Sequence, residues 1–353
     1  MKEMVISMKK LIIGSNQKSA GKTSVILGIT KALKKRICYM KPFGDRLVYR
    51  KKQLWDYDSV LLTTVLGLDE KPEDMSLGFE HAKLRYMYDA PNLKKKLLEK
   101  VSHMGKEKDL LFIECGEDLA CGISVHLDPI AVTNYMDGKL IIVLRGNADK
   151  IIDDIIFLKK VIDVSNINFS GVILNQIQDV DELKQTYLSE IDKLGINVLG
   201  IIPYKEELTH VSVEYLSEYL FAKIIAGEDR LNNVVKNIFV GAMSASSALR
   251  NPLFKKENKL IITSGDRSDM ILAAIESDTA GVILTNNVLP PRNIISKAHD
   301  HDIPLLLVAS DTFQIAKLID DMEPLITQYD SKKIELLDRL MKKYVDIKAI
   351  ANI

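Results

Sequence analysis

The residues best equipped for chemistry lie near the start of the chain, in Gly14-Ser15-Asn16-Gln17-Lys18-Ser19-Ala20-Gly21-Lys22-Thr23-Ser24. Apolar Leu11-Ile12-Ile13 precedes them, and a run with apolar residues at helical spacing follows. A turn between a strand and a helix is what an anion-binding loop requires, because backbone N–H groups converge there and the helix dipole favours negative charge. In that setting Lys22 is expected to reach the β- and γ-phosphates of a nucleotide, and Thr23 to offer its hydroxyl to Mg²⁺. Gly21 allows a backbone approach that a Cβ would block. Gly14, Ser15, Asn16, Ser19, Ala20 and Ser24 complete the expected cradle. The strict pattern has glycine where this chain has Asn16, and Gly14 stands two residues earlier. Asparagine tolerates left-handed geometry, so the loop is expected to close. The plain alternative is an ordinary strand-to-helix turn in which Gly21-Lys22-Thr23 occurs by chance. Strand, loop and helix fall in the order that a phosphate loop needs, which points to ATP and Mg²⁺ as ligands.

Elements that could position such a loop recur along the chain. Short apolar runs at 10–13, 37–40, 110–114, 139–144, 171–174 and 198–202 read as strands, with helical patterns at 22–35, 149–162 and 180–194. The strands are near-continuous runs of Leu, Ile and Val, as expected for a parallel sheet covered by helices on both faces. The implied fold is α/β, a P-loop NTPase-type sheet over 1–207. A smaller α/β unit follows over 208–328, with apolar runs at 238–243, 259–263, 281–284 and 304–308. Helical patterns at 213–222, 244–249, 269–276, 292–299 and 312–321 accompany them. A charged amphipathic tail over 329–353 closes the chain, helical from 331 to 348.

Composition excludes several classes. Lys+Arg and Asp+Glu number 48 each in the 353 residues, so no basic excess points to nucleic acid. Three cysteines, Cys38, Cys115 and Cys121, are too few for a disulfide framework and fit a reducing cytoplasm as small buried hydrophobes. The six histidines show no ligand spacing. No apolar run is long enough for a membrane span, and the first ten residues lack the pattern of a signal peptide.

With the loop in place, the chain resembles a known family. Residues 1–207 are similar to dethiobiotin synthetase and its cobyrinic acid diamide synthase relatives. The whole chain resembles the amino-terminal half of long bacterial phosphate acetyltransferases, where such a domain is joined to a DRTGG domain. The spacing of Gly14 and Gly21 is itself a feature of that group. The resemblance implies further site residues. Lys41, in Lys41-Pro42, matches a lysine that helps hold phosphate and the carboxylated amine; its plain alternative is a strand-end surface cation. Asp58 matches an acidic Mg²⁺ ligand, with Asp56 as competitor and a helix cap as the plain alternative. Glu114 closes its strand opposite the loop, where a carboxylate completes an oxygen shell for Mg²⁺. Asn175 matches a residue that reads the adenine edge, and Pro203 one that lines the base pocket.

The resemblance extends to 208–328 through Val240-Gly241-Ala242-Met243-Ser244, Gly265-Asp266-Arg267 and Ile283-Leu284-Thr285-Asn286-Asn287. Amides around Gly265-Asp266-Arg267 are expected to hold an anionic effector paired with Arg267, or else Asp266 and Arg267 form a local ion pair. Asn286-Asn287 stand where the family has Gly-Gly. After Glu114 the segment Gly116-Glu117-Asp118-Leu119-Ala120-Cys121-Gly122 departs from the Gly-rich substrate loop of dethiobiotin synthetases. The acetyltransferase catalytic region is absent from the sequence. These features imply a nucleotide-dependent regulatory protein, homodimeric or larger, acting on a partner enzyme of acetyl or related metabolism. The alternative is a stand-alone ATP-dependent ligase in which Lys22 and Lys41 stabilise a transferring phosphoryl group.

Overall fold

The computed structural model describes residues 8–33, 35–50, 53–104, 107–165 and 167–353. Position 34 of the expected first helix and residues 1–7, where no signal peptide was expected, lie outside the described residues. The chain divides into two compact units, one of residues 1–205 with 328–353 and one of residues 206–327.

Among the described residues the first unit has eight strands: β1 (Lys9–Ser15), β2 (Ile37–Met40), β3 (Leu47–Arg50), β4 (Gln53–Asp56), β5 (Leu110–Glu114), β6 (Lys139–Leu144), β7 (Phe169–Ile177) and β8 (Val198–Pro203). Its helices are α1 (Lys22–Ala32), α2 (Tyr57–Leu66), α3 (His81–Met87), α4 (Ala90–Met104), α5 (Pro129–Met136), α6 (Ala148–Ser165), α7 (Val180–Thr186) and α8 (Leu188–Lys193). Six strands form one sheet in the order β2-β5-β1-β6-β7-β8, every pairing parallel. Parallel strands need helical crossovers, so both faces are covered, and residues 11–14 and all of β5 are buried. β3 and β4 form a separate antiparallel hairpin. The single helix expected over 180–194 is divided at Tyr187 into α7 and α8.

The second unit holds β9 (Val211–Ser212), β10 (Lys223–Ala226), β11 (Val234–Val235), β12 (Asn237–Val240), β13 (Lys259–Ser264), β14 (Thr279–Thr285) and β15 (Leu305–Leu307). Between them run α9 (Val213–Tyr219), α10 (Ala245–Ala248), α11 (Ser268–Ile275), α12 (Arg292–Asp300) and α13 (Thr312–Asp320). The sheet order is β10-β15-β14-β13-β12, with only β10 antiparallel to its neighbour. Alternate residues of β13 serve opposite faces: Ile261 joins one apolar cluster, Leu260 and Ile262 the other. Asn286 and Asn287 both have positive φ, 59° and 53°, which explains the residue types. Consecutive left-handed positions admit glycine, and asparagine tolerates them better than most residues.

The tail forms α14 (Ser331–Tyr344) and α15 (Ile347–Asn352) and belongs to the first unit. A Cβ on Gly28 of α1 would lie 2.5 Å from Met341 Cγ and 3.0 Å from the Leu337 carbonyl oxygen, so the two helices meet where α1 has no side chain. Leu337, Leu340 and Met341 are buried, each worth about 2 kcal/mol of apolar transfer. Val345 then bridges Gly200 antiparallel at the β8 edge.

Candidate functional site

β1 delivers the chain into the loop at the carboxyl end of the sheet, and α1 begins at Lys22. Gly21 precedes it as the N-cap residue, with φ 91° and no side chain of its own to cap the helix. The first-turn amides are therefore open to an anion, as helix starts are when uncapped. Any side chain at Gly21 would meet Asn175 Nδ2 at 2.3 Å. Lys22 is buried, and its ammonium folds over the loop to donate to Ser15 Oγ at 2.8 Å and, at 3.5 Å, to the Glu117 carbonyl. Burial pulls the Lys22 pKa below the ordinary lysine value, and the Glu114 carboxylate opposes that.

Two loop residues act differently from expectation. Asn16 is absent from the positive-φ residues; Ser19 takes the left-handed conformation instead, at φ 57°. The Asn16 amide brackets the Arg145 backbone, donating to its carbonyl at 3.1 Å and accepting from its N–H at 3.2 Å. Asn16 also donates to Asp154. Gly14 is a strand residue paired with Ile142, and a Cβ there would lie 2.8 Å from Ile142 Cδ1 and 3.1 Å from Pro129 Cγ. Its small size serves packing beneath α5, not approach to phosphate. Ala20 is buried, with its carbonyl taken by Asn175, and Ser24 lies within the first turn of α1.

Opposite the loop, Thr23 Oγ1 donates to Glu114 Oε1 at 2.9 Å, and Tyr39 Oη donates to Oε2 at 2.9 Å. Burial, reinforced by Asp58, raises the Glu114 pKa to about 7. Among the described residues no cation pairs directly with this carboxylate. The oxygen donors fit Mg²⁺, which favours hard carboxylate and hydroxyl ligands: Thr23 and Glu114 would hold it, and its chemistry there would be to neutralise phosphate charge.

Lys41 is not a surface cation. It is 1% exposed, 2.6 Å from Asp58, 2.5 Å from Asp45 and 3.4 Å from Asp56. Burial alone would lower its pKa, but Asp58 and Asp56 hold it well above the ordinary value. Asp58 is buried too, yet Lys41 and Arg46 bring it down to about 2. Asp56 caps α2, accepting from the Ser59 N–H at 3.0 Å, and burial raises its pKa to about 6. The acidic trio Asp45, Asp56 and Asp58 has the proximity of a cation site, and the Lys41 ammonium already sits among its oxygens. Asp45, Arg46 and Tyr39 carried no signal in the sequence.

The other side of the loop is formed by β6 and β7. Asn175 donates to the Ala20 carbonyl at 2.9 Å, under the loop. Next to it Gln176 interrupts β7 with φ 59°, at an irregularity in the pairing with β8, and its amide donates to the Ser19 carbonyl at 3.4 Å. A cavity of about 350 Å³ opens here, lined among others by Arg145, Asn147, Gln176, Gln178, Asp179 and Tyr204. Asn175 and Pro203 do not line it; their neighbours Gln176 and Tyr204 do.

In the second unit Arg267 is already engaged. It pairs with Asp269 rather than Asp266, and donates to the carbonyls of Met243 at 2.8 Å and Gly241 at 3.4 Å. A Cβ on Gly265 would lie 1.8 Å from the Val288 carbonyl oxygen, so this glycine serves loop packing.

The protein-family model described as an AAA domain matches residues 9–212, more than half the chain. The chain belongs to the AAA-domain family. A DRTGG domain follows in this AAA-domain protein, over residues 215–322. The phosphate acetyltransferase of Synechocystis sp. is 25% identical over 97% of the chain and 51% of its own length. That of Nitratidesulfovibrio vulgaris is 20% identical over 95% and 50%. The chain thus spans about half the length of the curated relatives it matches. The pairing of a dethiobiotin synthetase-like P-loop domain with a DRTGG domain is that of the amino-terminal half of these enzymes. The CBS and DRTGG domains of Clostridium perfringens pyrophosphatase, solved with the activator diadenosine tetraphosphate, are similar at TM-score 0.29 and 20% identity. They cover 53% of this chain and 72% of that one, a likeness too loose to bear on ligands. No helix among the described residues is long and apolar enough to cross a membrane.

Proposed function

We propose that the first unit binds Mg²⁺·ATP and that the chain is a nucleotide-dependent regulator, its second unit sensing a small effector and its target an enzyme of acetyl or related metabolism. The observation that carries nucleotide binding is the convergence of an uncapped α1 start, the Lys22 ammonium and the Thr23–Glu114 pair. Terminal phosphates lie at the Lys22 end, and the base enters the cavity lined by Gln176 and Tyr204.

Lys41 favours regulation over the ligase alternative. A ligase of dethiobiotin synthetase type needs this ammonium for its substrate, whereas here three carboxylates surround it. Two of the ammonium's three donors are taken by hydrogen bonds to Asp45 and Asp58, and Asp56 lies 3.4 Å away, so its charge is already balanced. The effector is sought in the second unit away from Arg267, whose charge Asp269 already neutralises.

Calorimetric titration of Mg²⁺·ATP into the wild type and Lys22→Ala tests the binding. The expected result is saturable binding that the variant loses by at least tenfold; no binding, or equal binding, overturns the reading. Metabolite-stimulated ADP release would instead support the ligase.

A further inference from the structure

Arg145 follows β6 directly, and its surroundings set it apart from the other cations near the phosphate loop. Lys22 is spoken for by Ser15, Lys41 by three carboxylates, Lys150 by Asp154 at 2.6 Å, and Lys18 by Glu117 at 3.4 Å. Arg145 makes no ion pair among the described residues. One guanidinium nitrogen, Nη1, donates to the Ser19 carbonyl at 3.2 Å, at the left-handed apex of the loop. A guanidinium offers five N–H donors, so most of its capacity for a planar, bidentate anion contact remains.

The same residue lines the 350 Å³ cavity, which falls within the ~300–1,000 Å³ range of small-molecule sites. The cavity is graded in charge. Arg145 and Gln176 border it where both touch Ser19, while Asp179 and Glu182 line it from the start of α7. Such a grading suits a ligand with an anionic group at the loop and hydrogen-bond donors, such as ribose hydroxyls or an exocyclic amine, further in.

The backbone of Arg145 is fixed independently of its side chain. Its N–H and carbonyl are bracketed by the Asn16 amide, and the Gln17 amide donates to the same carbonyl at 3.1 Å. Asn16, standing where the strict loop pattern has glycine, therefore anchors the main chain that carries the guanidinium. This is a use for the departure that loop closure does not require.

We propose that Arg145 is a ligand-contacting residue that grips the α-phosphate of a bound nucleoside phosphate, between the phosphate loop and the base cavity, with Asn16 as its positioning residue. The proposal rests on the nucleotide-binding reading above and adds a contact that the loop motif does not contain.

Arg145→Gln isolates the guanidinium, because every bracket bond uses Arg145 main-chain atoms and survives the substitution. Calorimetry with Mg²⁺·ATP, Mg²⁺·ADP and inorganic tripolyphosphate on wild type, Arg145→Gln, Arg145→Lys and Lys22→Ala reads the role. The expected pattern in Arg145→Gln is an equal loss of at least tenfold for ATP, ADP and tripolyphosphate, whose third phosphate fills the α position, with partial rescue in Arg145→Lys. The ligand-free melting temperature of Arg145→Gln stays at the wild-type value. If Arg145→Gln binds ATP as the wild type does while Lys22→Ala does not, the Arg145 proposal fails and nucleotide binding stands. If Arg145→Gln weakens ATP but leaves tripolyphosphate within twofold, the guanidinium contacts the nucleoside and the placement at the α-phosphate is wrong. If the wild type binds no nucleotide, both fall together.

Discussion

Thr23 Oγ1 and Glu114 Oε1 lie 2.9 Å apart, although 91 residues separate them in the chain. Neighbouring parallel strands bring them together: β5 lies beside β1, and α1 starts just past β1. Thr23→Val keeps the shape and removes the donor, leaving a buried carboxylate oxygen unpaired. We expect a stability loss of about 1–3 kcal/mol by denaturant unfolding, with weaker Mg²⁺ dependence of nucleotide binding.

Glu114 makes stability depend on pH. Its pKa is about 7 in the folded chain against an ordinary value of 4.5, so between those values the folded state binds more protons than the unfolded one. The resulting contribution is complete below 4.5 and is lost as pH rises through about 7. Unfolding curves of wild type and Glu114→Gln without divalent metal should therefore show the wild type losing ground to the variant across that window. Added Mg²⁺ should narrow the gap above it, since a metal ion binds the carboxylate form. A difference between the two proteins that is flat with pH would refute this assignment.

Lys41→Met leaves Asp45, Asp56 and Asp58 crowded, with Arg46 at 3.4 Å from Asp58 as the remaining cation among the described residues. The expected cost is about 3–5 kcal/mol, as for other broken buried ion pairs. The double variant Lys41→Met with Asp58→Asn should recover part of that loss, and strictly additive effects would show that the two residues do not interact.

Gly28→Ala reports on the helix crossing. In an exposed helix this change stabilises by about 1 kcal/mol. Here the new methyl meets Met341 and the Leu337 carbonyl, so destabilisation of about 1–3 kcal/mol is expected by thermal or chemical unfolding. A gain in stability would mean that α14 does not rest on α1 in solution.

The strands of the first sheet were legible because parallel strands buried on both faces leave an unbroken apolar run, as at Ile37–Met40 and Leu110–Glu114. The hairpin β3–β4 was not, since Leu47–Arg50 and Gln53–Asp56 are short, partly exposed and mixed in polarity. α4 was overlooked although Leu93, Leu97, Val101 and Met104 form a regular buried stripe. At the site, Lys22, Thr23 and Glu114 announce themselves through local context. Arg145, Tyr39 and Asp45 do not, because each matters through partners distant in sequence or through a turn with no motif. Gln176 has the same obscurity: its left-handed backbone within a strand is set by the irregular pairing of β7 with β8, not by its side chain.

Because α14 covers α1 and Val345 adjoins the β8 edge, the nucleotide unit lacks a packing layer until its last segment is available. The second unit, continuous from 206 to 327, has no such debt to later sequence. Domains fold as units during synthesis, ordinarily the amino-terminal one first. On the ribosome this chain should reverse that order: the later-made DRTGG unit matures early, while the phosphate-loop unit waits for residues 328–353 to emerge. Nascent chains arrested just after residue 327 has emerged would then resist protease over 206–327 and remain cleavable over 1–205, and early protection of the first unit would contradict it.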